Sequence, residues 1–130
     1  MKKSRKNPVI VVVDDDSVIL DCLREEIEDL GFEVITAENG RDALHLINAR
    51  KKDISLVISD FIMPVMNGLE LYKKTRFHKT NFVMLTGYPN DLMEKIGESH
   101  QFRLLEKPIE IEDLYRELGQ YFDLEEIEIA

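Results

Sequence analysis

Six polar residues, at four places far apart along the chain, stand where apolar runs end: Asp14, Asp15 and Asp16 after VIVVV, Asp60 after ISLVIS, Thr86 after FVML, and Lys107 just past FRLLE. Adjacent carboxylates repel one another and resist burial, and they stay ionised only beside a cation or several hydrogen-bond donors. Brought together, these six residues would make a chemical set. Hard oxygen ligands suit an octahedral Mg2+ (or Mn2+), and the metal would offset the repulsion among the aspartates. One aspartate could then attack phosphorus as a nucleophile. The ammonium would stabilise charge on the transferring group, and the hydroxyl would hydrogen-bond one of its oxygens. Each feature alone has a plainer meaning: an aspartate run is a solvated turn, Thr86-Gly87 a turn, and Lys107-Pro108 a surface lysine before a bend. The chemistry therefore depends on whether the chain gathers them.

The elements predicted from pattern do gather them. Val9 to Val13 is unbroken and apolar, which marks a strand buried on both faces of a parallel sheet. Ser17 is placed to cap a helix carrying Leu20, Leu23, Ile27 and Leu30, with Gly31 ending it. Phe32 to Ala37 reads as a second strand, Asn39-Gly40 as a turn, and Ala43, Leu44 and Ile47 as a short helix. Ile54 to Ser59 is a third strand ending at Asp60. Pro64 and Gly68 punctuate a loop, and Leu69, Leu71, Tyr72 and Thr75 mark a third helix. Phe82 to Leu85 is a fourth strand ending at Thr86, and Asp91 to Gly97 a short helix. Phe102 to Leu105 is a fifth strand ending at Glu106-Lys107-Pro108, and Ile111, Leu114, Leu118 and Tyr121 give a last amphipathic helix. Strand and helix alternate five times, which predicts a doubly wound α/β domain with a parallel sheet and right-handed crossovers. In such sheets ligands bind outside the carboxyl ends of the strands, where the six polar residues stand.

The 130 residues fit one domain, with 44% hydrophobic and 33% charged residues. The expected division is a basic N-terminal tail over 1–8, the domain over 9–122, and an acidic tail or truncated linker over 123–130. A formal net charge of −9 argues against direct nucleic-acid binding. No run is long enough for a membrane span, and the first apolar run is too short for a signal peptide. The single cysteine, Cys22, excludes an internal disulfide and is expected to pack in the core; a reducing, cytoplasmic setting is the expectation. His45, His78 and His100 lack ligand spacing and are expected at the surface. Met84 and Leu85 belong to the core.

VVVDDDSVIL resembles the first signature of the receiver domain of two-component response regulators. SDFIMPVMNGLEL resembles the phosphoacceptor signature of that family, and VMLTGY and LLEKPI match the remaining two. All four occur in order, and the likeness covers roughly Val9 to Phe122. The resemblance implies a flavodoxin-like (CheY-like) fold with strand order 2-1-3-4-5. It implies that Asp60 is the phosphoacceptor and also a metal ligand, that Asp15 binds Mg2+ directly and Asp14 chiefly through water, and that the Ile62 carbonyl is a further ligand. Thr86 would bond a phosphoryl oxygen and move with it, and Lys107 would pair with Asp60 or its phosphate, ahead of a cis bond to Pro108. Asp16 would face solvent near the first helix. Leu104 stands where the family carries an aromatic switch residue, three positions before the lysine. Ile62 and Tyr88 flank the family's water path; both are bulky and neither is acidic or amide-bearing, so slow self-dephosphorylation is expected.

The implied role is a signalling switch, phosphorylated by a sensor histidine kinase or phosphotransfer protein and acting on a downstream partner or output domain through a surface around the fourth helix and fifth strand. Such a switch would work as a monomer or as a phosphorylation-dependent homodimer. It would catalyse only its own phosphorylation and dephosphorylation. Two other functions fit parts of the sequence. Asp14, Asp16 and Val18 fit the Asp-x-Asp-x-Thr/Val nucleophile motif of haloacid-dehalogenase-like phosphatases, which would make Asp14 the nucleophile. A receiver-like fold used only for docking is the other. Neither gives a reason for Asp60-Phe61-Ile62-Met63-Pro64 and Asn67-Gly68. Whether the chain stands alone or belongs to a longer one is open from sequence.

Overall fold

The computed structural model describes residues 7–76, 80–96 and 101–125. In chain order the elements are β1 (Val9–Val13), α1 (Ser17–Asp29), β2 (Glu33–Ala37), α2 (Gly40–Arg50), β3 (Ile54–Asp60), α3 (Gly68–Thr75), β4 (Asn81–Thr86), α4 (Pro89–Ile96), β5 (Arg103–Glu106) and α5 (Ile111–Leu118). The five strands form one parallel sheet in the order β2-β1-β3-β4-β5, a flavodoxin-like α/β fold.

The valine run is explained by the two faces of the sheet. Side chains alternate along a strand. Val9, Val11 and Val13 point into a core that also holds Ala43 and Ile47 of α2, Leu71 of α3 and Leu92 of α4. Ile10 and Val12 point into a second core with Leu20, Leu23 and Ile27 of α1 and Leu114 and Leu118 of α5. β1 is flanked by β2 and β3, so every residue in it is buried. Each buried Val or Ile contributes roughly 1.5–3 kcal/mol of transfer free energy.

The helix starts correct several expectations. Asp16, not Ser17, caps α1: its carboxylate accepts from the backbone N–H of Val18 at 3.0 Å and of Ile19 at 3.3 Å. Ser17 is the first residue of the helix. Asn39 and Asn67 cap α2 and α3, accepting from Asp42 N–H at 2.8 Å and Glu70 N–H at 2.9 Å. The Asn-Gly pairs therefore open helices, and α2 runs over Gly40–Arg50, further than its apolar triplet indicates. α4 starts at Pro89, whose fixed φ suits the first turn. Gly31 ends α1 at φ 101°, a left-handed conformation open to glycine. Cys22, expected in the core, is exposed on α1, because the stripe Leu20, Leu23 and Ile27 takes the buried face. His45 is exposed, whereas His78, His100, Gly97, residues 1–6 and residues 126–130 lie outside the described residues.

α5 ends at Leu118, short of Tyr121. Tyr121 still serves the helix: its Oη donates at 2.9 Å to Glu117, which is 4% exposed and also pairs with the Arg103 guanidinium of β5. Phe122 packs against Phe32 with ring centroids 4.9 Å apart and planes tilted by 60°, and Leu124 packs on the α1/α5 core. The described part of the segment after α5 thus packs back on the domain as far as Leu124. Among the described residues no helix is long and apolar enough to cross a membrane.

The Glu117 anchor yields a prediction. Burial, and then the Glu117 carboxylate, push the Tyr121 phenol above its ordinary range. An acid whose folded pKa is raised supports the fold fully below its unfolded pKa, near 10, and loses that support as pH rises beyond it. Tyr121→Phe should cost about 1 kcal/mol at neutral pH. Urea unfolding from neutral to strongly alkaline pH should show a steeper loss of stability in the wild type than in the variant, so the two curves converge.

Candidate functional site

The carboxyl ends of β1, β3, β4 and β5 bring the predicted residues to one edge. Asp14 follows β1 and is 0% exposed, Asp60 closes β3 at 8%, and Thr86 closes β4 at 1%. Lys107 follows β5, and its backbone N–H donates to the Thr86 carbonyl at 2.8 Å, which continues the β4–β5 pairing and aims the side chain inward. Its ammonium lies 3.0 Å from Asp14 Oδ2 and 3.1 Å from Asp60 Oδ2. Lys107 thus bridges two carboxylates rather than pairing with Asp60 alone. The peptide bond to Pro108 is cis.

The electrostatics follow from this crowding. Burial raises the Asp60 pKa above the ordinary carboxyl value; Lys107 works against the shift, and the negative charges of Asp14 and Asp15 add to it. Burial alone would lower the Lys107 pKa, but its hydrogen bonds to Asp14 and Asp60 more than reverse this, and the ammonium holds its proton more tightly than usual. Ligand oxygens of Asp14, Asp15 and Asp60 all lie within 4.8 Å of one another. Among the described residues three carboxylates face one ammonium, which leaves two negative charges unbalanced, the charge of one divalent cation. An all-oxygen donor set of this kind fits a hard cation, so the residues present could hold a metal. Asp14 Oδ1 is partly engaged already, accepting from Asp16 N–H at 2.9 Å.

The remaining predicted residues lie on β4, on β5 and on the loops that follow β1, β3 and β4. Thr86 Oγ1 accepts from Tyr88 N–H at 2.9 Å, which holds the hydroxyl at the start of the β4–α4 loop and leaves its proton for another acceptor. Ile62 and Tyr88 are exposed, at 59% and 62%. Leu104 sits opposite Met84 in the β4–β5 ladder, partly buried against the core that holds α2, α3 and α4. Asp16 is exposed, and its carboxylate is engaged in capping α1.

The loop after Asp60 explains residues whose role the sequence pattern misses. A Cβ on Gly68 would lie 2.3 Å from the Asp60 carbonyl oxygen and 2.6 Å from Met84 Sδ, so only glycine lets α3 start against the end of β3. Gly68 N–H donates to the Phe61 carbonyl at 2.8 Å. A Cβ on Gly40 would lie 2.4 Å from the Met66 carbonyl oxygen, so α2 abuts the same loop. Met66 N–H donates to the Pro64 carbonyl at 2.8 Å across Val65, a γ-turn whose central residue sits at φ 72°. A β-branched residue in that region is strained. Asn-Gly directly ahead of an amphipathic run was the available signal, since it is a cap followed by a helix start with no side chain.

A family model described as the response regulator receiver domain matches residues 10–118. The chain is 34% identical over 93 residues to the alkaline phosphatase synthesis transcriptional regulatory protein PhoP of Bacillus subtilis, covering 70% of this chain and 38% of that protein. It is 37% identical over 89 residues to the transcriptional regulatory protein CpxR of Escherichia coli, covering 68% and 37%. The chain thus spans under two-fifths of the length of these relatives. Among solved structures, the receiver domain protein from Clostridium thermocellum superposes with a TM-score of 0.80 at 25% identity, covering 88% of this chain and 93% of that one. Chemotaxis protein CheY4 of Vibrio cholerae gives 0.76 at 29% identity, covering 90% and 100%.

Two variants test the geometry. Ionised Asp60 costs stability because its folded pKa is raised, and that cost is present at neutral pH and absent below about pH 4, where the carboxyl is protonated folded and unfolded alike. Asp60→Asn should therefore stabilise the metal-free protein at pH 7 by on the order of 1 kcal/mol, a few degrees in thermal midpoint, with the gain shrinking as pH falls. A saturating divalent cation should raise the wild-type midpoint more than that of the variant. Gly68→Ala should cost about 3 kcal/mol in urea unfolding through overpacking against Asp60 and Met84.

Proposed function

The chain belongs to the response regulator receiver family of two-component signalling switches, and on that footing we propose that it accepts a phosphoryl group on Asp60 from a sensor histidine kinase or phosphotransfer protein. The observation that carries this reading is the bridged pair: Lys107 contacts the Asp60 carboxylate and the buried Asp14 carboxylate together, at the carboxyl edge of the sheet beside Thr86.

In the proposed reaction an Asp60 carboxylate oxygen forms a bond to phosphorus. The bond from phosphorus to the donor imidazole nitrogen breaks, and its electron pair leaves with the imidazole. Lys107 keeps Asp60 ionised despite its burial and then pairs with the phosphoryl oxygens. Thr86 can donate its hydroxyl proton to one of those oxygens while still accepting from Tyr88 N–H. Asp14, Asp15, Asp60 and the Ile62 backbone carbonyl would hold a Mg2+ (or Mn2+), which when bound supplies the positive charge that offsets the carboxylates and the charge on the phosphoryl group. Motion of Thr86 towards the phosphoryl group would open space beside Leu104, which would switch with less area and no hydroxyl in place of the family's aromatic.

Residues 9–122 form the receiver unit in this reading, with 123–130 a tail or linker. The product is a shift in conformational population, read by a downstream partner or output domain around α4 and β5, in a cytoplasmic setting. The unit would act as a monomer or a phosphorylation-dependent homodimer.

Intact mass after incubation with acetyl phosphate and Mg2+ tests the reading. One added phosphoryl group is expected on the wild type and none on Asp60→Asn or after chelation of the metal. Steady phosphate release without an adduct, from both proteins, would point to Asp14 chemistry; neither adduct nor turnover would leave a docking module. The exposed, apolar or aromatic Ile62 and Tyr88 offer no carboxylate or amide to position an attacking water. The phosphoryl lifetime should accordingly run to minutes or longer, with Ile62→Asn shortening it; a wild-type lifetime of seconds would contradict this.

A further inference from the structure

Phe61, the residue after Asp60, is fastened on three sides. Its backbone N–H donates to the Leu85 carbonyl of β4 at 2.9 Å, its carbonyl accepts from Gly68 N–H of α3 at 2.8 Å, and its ring is buried with the Lys95 ammonium of α4 lying 5.5 Å from its centroid. That distance is within cation–π range. α4 itself is lightly held: of its residues only Leu92 is buried, with Ile96 partly buried against the same core. A contact that would be minor on a well-buried helix can bias the position of this one.

Resting on the phosphoacceptor reading, we propose that Phe61 is a positioning residue that ties α4 to the state of Asp60, with Lys95 on its ring as the tie. Both backbone groups of Phe61 are anchored, so displacement of the end of β3 on phosphorylation reaches its ring as a tilt beneath Lys95. The cation then favours one placement of α4 when Asp60 is free and another when it is modified. An exposed cation–π contact biases two helix placements by roughly two- to fivefold, enough to change which one dominates when they are nearly balanced.

The methionines make native reporters: Met63 and Met66 lie in the loop after Asp60, Met84 in β4, and Met93 is exposed on α4. The full chain, labelled with 13C at the methionine methyl groups, is followed by NMR before and after acetyl phosphate and Mg2+, with intact mass recorded on the same samples. The wild type, Lys95→Gln, Lys95→Arg and Phe61→Leu are compared. In the wild type the Met63, Met66 and Met93 signals should all shift. In Lys95→Gln the two loop signals should still shift, while the Met93 response falls by roughly two- to fivefold. Lys95→Arg should restore it, since a guanidinium also stacks on an aromatic ring. Phe61→Leu should behave like Lys95→Gln, and because Lys95 is exposed, the Gln variant stands as the test should the Leu variant unfold. Added mass with an undiminished Met93 response in Lys95→Gln, or with no Met93 response in the wild type, overturns this proposal alone. No added mass on the wild type overturns the phosphoacceptor reading and this proposal with it.

Discussion

One ammonium sits between two carboxylates that have almost no access to water. Asp14 and Asp60 belong to neighbouring strands, and burying either without compensation would be expensive. Lys107 arrives from the far side of the sheet, and its reach to both depends on the register of β5 on β4, set by its own backbone bond to Thr86. The contact is therefore a joint property of β1, β3, β4 and β5. It also leaves the site short of positive charge, since among the described residues no cation pairs with a third carboxylate, Asp15. A fold built around such a deficit is primed to respond to whatever alters the charge at Asp60.

The loop between β3 and α3 serves that centre through close backbone packing. Gly68 lets a helix begin directly against the end of β3, Gly40 lets a second helix abut the same loop, and Asn67 caps the first of them. Val65 is held at positive φ between, so the loop keeps its shape because its two ends are fixed. The side chains displayed outward from it, Ile62 and Val65, are apolar and exposed. Rigid backbone and open apolar rim thus coexist within a few residues of Asp60.

Much of this was legible in the sequence because its periods are strong. The runs VIVVV and ISLVIS can only be buried strands, and the polar residues that end them fall where a parallel sheet gathers ligands. What was not legible depends on short-range competition or on three-dimensional proximity. Asp16 and Ser17 are both good capping residues, and only the backbone geometry decides between them. Cys22 lies beside a helix stripe, and its exposure follows from the phase set by Leu20, Leu23 and Ile27. The Asp14–Lys107 contact joins residues far apart in sequence, and no local pattern announces it. Gly40 and Gly68 look like turn residues, because nothing in a linear string shows what a missing side chain makes room for.

The alternation along β1, along β3 from Leu56 onward and along β4 divides the interior into two compartments with separate helices: α1 and α5 on one side, α2, α3 and α4 on the other. The sheet acts as a partition wall. A change of volume behind α1 is absorbed against Ile10 and Val12 and need not disturb Val11 or Met84 across the wall. The two helical layers can therefore drift in sequence at different rates. One layer can be refitted to a new partner while the other, together with the acidic edge that both share, keeps its shape.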